Sequence, residues 1–125
     1  MRNVTIMAAL ISAALPTQAL AAEWVRVGST DSGSSVMEID AASIKRASDG
    51  AIVWARLTRR QGGHFMNQMA VNCTTEAYRD IRIIVYEANG YSKDISSTID
   101  DVWRSPVPDS LMDTAVKAVC KAGER

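Results

Sequence analysis

The sequence predicts an α+β protein. It reads as a single antiparallel sheet of about six strands in meander order, with a C-terminal helix packed on one face and disulfide-linked to it. Three observations predict this. From Trp24 to Tyr86 the apolar residues recur with a period of two, and the runs are joined by short turn signals such as Asp49-Gly50 and Asn89-Gly90. Parallel pairing needs long crossovers, so short turns imply antiparallel neighbours. After Pro108 the period becomes helical, with Met112, Val116, Val119 and Cys120 on one stripe widened by Leu111 and Ala115. The two cysteines, Cys73 and Cys120, close the last strand of one hairpin and that helix.

The pairing of those cysteines follows from the first residues of the 125-residue chain. Arg2 supplies a positive n-region. Val4 to Leu15 is an uncharged apolar run, Pro16 breaks it, and Ala19-Leu20-Ala21 places small residues at the −3 and −1 positions. Residues 1–21 therefore read as a secretory signal cleaved after Ala21, and residues 22–125 as one domain. An exported chain with two cysteines is expected to oxidise them to each other. The apolar run is shorter than the ~20 residues a membrane-spanning helix needs, so no transmembrane segment is expected. No cysteine stands at the cleavage site to accept a lipid, and no twin-arginine pair precedes the run.

Each element has a local reason. Trp24 to Val27 opens the first strand, Gly28 to Ser35 is a turn-rich break, and Val36 to Ile39 resumes extended structure. Asp40 to Ile44 reads as a tight turn or single helical turn that Asp40 can cap. Asp49-Gly50 turns the chain into Ala51–Thr58, rich in β-branched and aromatic residues, and Gln61-Gly62-Gly63 reverses it again. Phe65, Met69, Val71 and Cys73 share one face of the next strand, and Asn67 breaks that face's pattern. In Tyr78–Tyr86 strict alternation sets Ile81, Ile83 and Val85 on one side and Tyr78, Asp80, Arg82, Ile84 and Tyr86 on the other. Asn89-Gly90 starts a hairpin whose return arm begins at Tyr91. Pro106 and Pro108 exclude a further central strand. Asp109 or Ser110 caps the helix from about Leu111 to Cys120, and Ser110 with Asp113 resembles a capping box.

Charge and composition narrow the function classes. The chain is neutral overall, with 14 basic and 14 acidic residues, and loses one positive charge with the signal. Nothing drives it globally toward nucleic acid. His64 is the lone histidine and the cysteines are expected to be oxidised, so a zinc site is hard to assemble. No Gly-rich phosphate loop or CxxC motif is present, and no cofactor is expected. His64 is either a ligand or an exposed loop residue. Asp100-Asp101 reads as a solvated turn rather than a calcium loop. Arg56, Arg59 and Arg60, running from a strand into the Gln61–Gly63 turn, form a candidate basic knob for a partner, with His64 beside it. Lys45 and Arg46 extend the knob if the two hairpins are neighbours. Trp24, Trp54 and Trp103 are candidates for an aromatic binding surface, but Trp54, inside a strong strand, is expected in the core. Tyr78, Tyr86 and Tyr91 are candidates for the sheet face opposite the helix, where they would contact protein or pair across strands.

Several landmarks in order then suggest a family: Trp24, Ile39-Asp40, Ser43-Ile44-Lys45-Arg46, Val53-Trp54-Ala55-Arg56, Cys73, Tyr86 with Asn89-Gly90, Trp103, Pro108, Ser110 and Val119-Cys120. Residues 22–125 resemble the surface-adhesin protein E family of Gram-negative bacteria over nearly their whole length. The resemblance implies one antiparallel sheet with a disulfide-linked C-terminal helix. It also implies a non-enzymatic binding role toward a protein partner, a host extracellular-matrix or plasma protein or a cell-envelope component. Some members are lipoproteins; this chain departs from them in lacking the acceptor cysteine. The alternative is a periplasmic enzyme or enzyme-inhibitor domain using a cleft between helix and sheet. A deep polar pocket holding His64 and a carboxylate would mark that alternative.

Overall fold

The computed structural model describes residues 21–30 and 32–122; the signal sequence read from residues 1–21 lies almost wholly outside them. The strands are β1 (Trp24–Ser29), β2 (Ser35–Asp40), β3 (Lys45–Ala47), β4 (Gly50–Arg59), β5 (His64–Asn72), β6 (Ala77–Tyr86) and β7 (Ser92–Asp94), followed by one helix, α1 (Leu111–Ala122). All pair antiparallel in one sheet, in the order β1-β2-β4-β5-β6-β7. The expected meander is therefore present.

β3 is the addition. After β2 the chain makes a single 3-10 turn at Ala41–Ser43 and rejoins the same edge of β4 further along. Asp40 caps the turn by accepting from the Ala42 amide at 3.1 Å. Ser43 Oγ accepts from the Trp54 amide at 3.2 Å, filling the gap in the ladder where neither β2 nor β3 reaches. Asp40 also accepts from the Glu23 amide at 2.8 Å, which fixes the start of β1. Gly50 opens β4 at a close approach: a Cβ there would lie 1.8 Å from the Val71 carbonyl oxygen. Only glycine lets the two backbones meet at this turn.

Alternation sorts the sheet into two faces. Met37 and Ile39 of β2, Ala51, Val53 and Ala55 of β4, and Met69 and Val71 of β5 point toward α1 and are buried with Ala115, Val116 and Val119. The helix lies across β1, β2 and β4 and reaches β5. Small residues in β4 let it approach closely. At its upper end Gly28 lies under Leu111 and Thr114, where a Cβ would come within 3.3 Å of both.

One expected alternation fails. The β5–β6 register runs Gln68↔Arg82 and then Met69↔Asp80, leaving Ile81 without a partner. That bulge inserts one residue, so every side chain before it changes face. Tyr78 packs against the core cluster on the helix side, and Asp80 accepts from Asn67 Nδ2 at 2.7 Å. Of the five residues assigned to the second face only Arg82, Ile84 and Tyr86 keep it, while Ile83 and Val85 stay on the helix side. The bulge gives the polar residue of the inner β5 face a partner. Tyr78 also pairs through its backbone with Arg104, so the chain after β7 returns along the outer edge of β6.

Both ends of α1 are fastened. Ser110 Oγ accepts from the Asp113 amide at 3.2 Å, and Asp113 Oδ2 accepts from the Asp109 amide and from Lys117 Nζ, each at 3.0 Å. At the other end Arg46 Nη1 donates to the Val119 carbonyl at 3.0 Å, and Cys120 is bonded to Cys73 across a Cα–Cα distance of 5.5 Å.

The hydrogen bond from Lys117, and after it the Asp109 amide, hold the Asp113 carboxyl below its ordinary value of 3.8. Bonds from the Ser96 hydroxyl and amide, and then Arg82, do the same for Asp94. A depressed carboxyl stabilises the fold above its unfolded pKa and loses that contribution as pH falls through its folded pKa. The urea midpoint should therefore decline as pH is lowered below about 4. An Asp113→Asn variant should decline less, so its curve meets that of the parent at the acid end. Parallel curves would show that the helix-start cluster is not responsible.

Candidate functional site

The face opposite α1 carries large side chains that no helix covers. β-strand alternation puts Trp24 and Arg26 of β1, Glu38 of β2, Trp54, Arg56 and Thr58 of β4, His64, Met66 and Gln68 of β5, and Arg82, Ile84 and Tyr86 of β6 on this side. In β4 the reason is local, because the residues that alternate with these face the core. Trp54, for example, lies between Val53 and Ala55, which are 0% and 2% exposed. Trp54 itself is half-buried. It is therefore not a core residue, contrary to the expectation from its strand. The core side of β4 must be small to admit α1, so the bulk of that strand stands on the other face.

Cross-strand pairs order this surface. The Arg56 guanidinium lies 4.2 Å from the centre of the Trp24 ring, and it donates from Nε and Nη2 to Glu38 Oε1 at 3.2 and 3.1 Å. That sandwich holds Trp24 in place and neutralises Arg56 locally. His64 and Tyr86, directly opposite in register, stack with ring centres 4.6 Å apart and planes at 15°. Arg82 pairs with Asp94 at 3.1 Å. The result is a stiff face of aromatic rings with polar edges, the composition that favours protein contact. At its lower end Trp103, 50% exposed, sits against Arg79 and beside Ile52 and Ala70.

The residues read from the sequence as a basic knob separate into three places. Arg56 and His64 share the uncovered face. Arg59 and Arg60 stand at the end of the sheet where the turns before β2, β5 and β7 gather; Arg59 points to the helix side, with its guanidinium 4.7 Å from the Phe65 ring centre. Lys45 and Arg46 lie at the opposite end. Lys45 pairs with Ile52, seven residues of β4 away from Arg59, which is about 23 Å of strand. Arg46 is occupied with the helix terminus. Tyr86 joins the uncovered face, Tyr91 is 64% exposed in the turn before β7, and Tyr78 is on the helix side. Sequence reasoning assigned Trp54 to the core in preference to an aromatic surface, and the structure places it on that surface. The signal that finds it is the strict order small–Trp–small in Val53-Trp54-Ala55.

Chemically the face is suited to contact. Among the described residues His64 makes no side-chain hydrogen bond, and its neighbour is a ring rather than a carboxylate. Among the same residues no group of three or more His, Cys, Asp or Glu side chains is placed to hold a metal ion. A cleft of about 340 Å³ lies at the disulfide end, between Asp49, Cys73, Thr74, Glu76 and Cys120, far from His64.

The fold and this surface can be set beside known proteins. The family model described as surface-adhesin protein E matches residues 24–121. The chain belongs to the surface-adhesin protein E family. No curated protein and no solved structure matches it. The matched span of this family member runs from the start of β1, whose Trp24 anchors the uncovered face, to the residue after the helix cysteine. It thus includes the whole sheet and the disulfide. An adhesin-like surface binding role comes with that membership. No helix among the described residues of this family member is long and apolar enough to cross a membrane.

Proposed function

We propose that this family member is a non-enzymatic binding module, exported by cleavage after Ala21, that contacts a protein partner through the uncovered sheet face. The observation that carries the reading is the surface of Trp24, Trp54, His64 and Tyr86, held rigid by strand register and by the Arg56–Glu38 pair. Rigid aromatic side chains lose little entropy on binding and bury much area. Arg60 and the turns at the same end supply a basic rim that assists encounter. A host extracellular-matrix or plasma protein is the partner class that family membership favours.

The mature protein should bind vitronectin, laminin or plasminogen saturably at micromolar concentration in surface plasmon resonance. Combined Trp54→Gln and Tyr86→Ser substitutions should weaken that binding by tenfold or more, on the order of the loss of one interface anchor. Arg60→Ala should change mainly the association rate and its salt dependence. Saturable binding that survives the aromatic substitutions would overturn the assignment of the face. Absence of saturable binding to all three proteins would overturn the host-partner reading.

A further inference from the structure

The helix side of the sheet holds a second site. α1 covers β1, β2 and β4 but stops short of β6, so an apolar cleft of about 190 Å³ opens between the start of the helix and the far strands. Leu57, Phe65, Ile83 and Met112 form its walls, and one polar residue, Asn67, enters it. Two buried polar atoms lie beside the Phe65 wall without partners among the described residues: Asn67 Oδ1 and Arg59 Nε. The amide orientation of Asn67 is set by Asp80, a carboxylate that can only accept and so takes the NH2 group at 2.7 Å. The oxygen is thereby left as an unused acceptor at an apolar wall.

The opposite requirement stands at the Phe65 end. The Arg59 guanidinium lies over the Phe65 ring and makes no ion pair among the described residues. Lys93 is on the same side of the sheet, in register with Val85, which is itself in register with Phe65. The site therefore offers an apolar hole, an unpartnered hydrogen-bond acceptor in its wall, and positive charge just beyond Phe65 at one end. Asp80 marks the other end as negative, so an anionic group is directed toward Arg59.

We infer that this cleft captures a free peptide C-terminus ending in an apolar residue. The terminal side chain fills the hole, the last backbone N–H donates to Asn67 Oδ1, and the α-carboxylate pairs with Arg59. An apolar cavity of roughly 150 Å³ is enough for a benzene-sized group, so a terminal Phe or Leu side chain fits. A guanidinium fork matches a carboxylate in two parallel hydrogen bonds. A fatty acid satisfies Arg59 and the walls but brings no donor for Asn67. This site faces away from the aromatic surface proposed above, and the two can fail independently.

The test is a two-dimensional NMR titration of the 15N-labelled mature protein with N-acetyl-L-phenylalanine. Saturating shifts are expected at Phe65, Ile83, Met112 and the Asn67 side-chain amide. The methyl ester, which lacks the carboxylate, and an Arg59→Gln variant should each bind about tenfold more weakly or less. 3-Phenylpropionate, which lacks the N–H, should leave the Asn67 amide signal in place. Three results would overturn the inference: no saturating shifts at millimolar probe, equal binding of acid and ester, or shifts confined to Trp54, His64 and Tyr86. The ester comparison needs no variant, so it decides the matter even if Arg59→Gln does not fold.

Discussion

Replacing Cys120 with serine is expected to lower the unfolding free energy by roughly 3–4 kcal/mol, before any strain relief is subtracted. The bond closes a loop across a sequence separation of 47, and most of its effect acts by limiting the unfolded chain. A domain of this size has only about 5–10 kcal/mol to lose. Urea unfolding of the parent with and without a thiol reductant should reproduce the loss, and the variant should be indifferent to the reductant. Amide exchange should accelerate most in α1, because Cys120 and the Arg46–Val119 contact are what fasten its last turn. An unchanged midpoint would show that the helix is held by packing alone. A free-thiol assay on the folded parent should find none.

Met69→Ala is expected to cost about 3 kcal/mol, within the range for truncating a fully buried large side chain. Met69 has no solvent exposure and lies in register with Val53, which also has none. It fills the space where α1, β4 and β5 meet, and its other neighbour is Asp80, the residue before the β6 bulge. A cavity there has no loop beside it that can collapse inward. Met69→Leu conserves volume and should cost less than about 1.5 kcal/mol. Equal losses for the two variants would mean that the site tolerates shape poorly rather than volume loss. A loss below 1 kcal/mol for alanine would show that the helix resettles onto the sheet.

The strands, their order and the helix were legible because they depend on local periodicity. Asn89-Gly90, Asp49-Gly50 and the small turn at Asp40 are short-range signals, and each stands where it was expected. β3 was not legible: Lys45–Ala47 has no apolar alternation and is extended only because β4 lies beside it. The bulge at Ile81 was not legible either. A continuous run such as Ile81-Arg82-Ile83-Ile84-Val85 reads as one alternating strand, and it is the partner strand that imposes the shift. The candidate site was read in part. Arg56 and His64 share the uncovered face, but Lys45 and Arg46 belong to the other end of the sheet, because the turn at Ala41–Ser43 sets β3 in line with β2 instead of beside it.

By itself the sequence determined the sheet, the closing helix and the pairing of Cys73 with Cys120, since each rests on neighbours along the chain or on a choice with one solution. The tertiary structure alone decided which face Trp54 occupies, how the charges of Arg56 and Arg59 are used, and that α1 ends before β6. Those outcomes depend on how wide the helix is relative to the sheet and on register between strands distant in sequence. Neither quantity is written in any single segment. Both surfaces open to a partner, the aromatic face and the apolar cleft, are what remains of a six-strand-wide sheet after one helix has covered a single side of its first half.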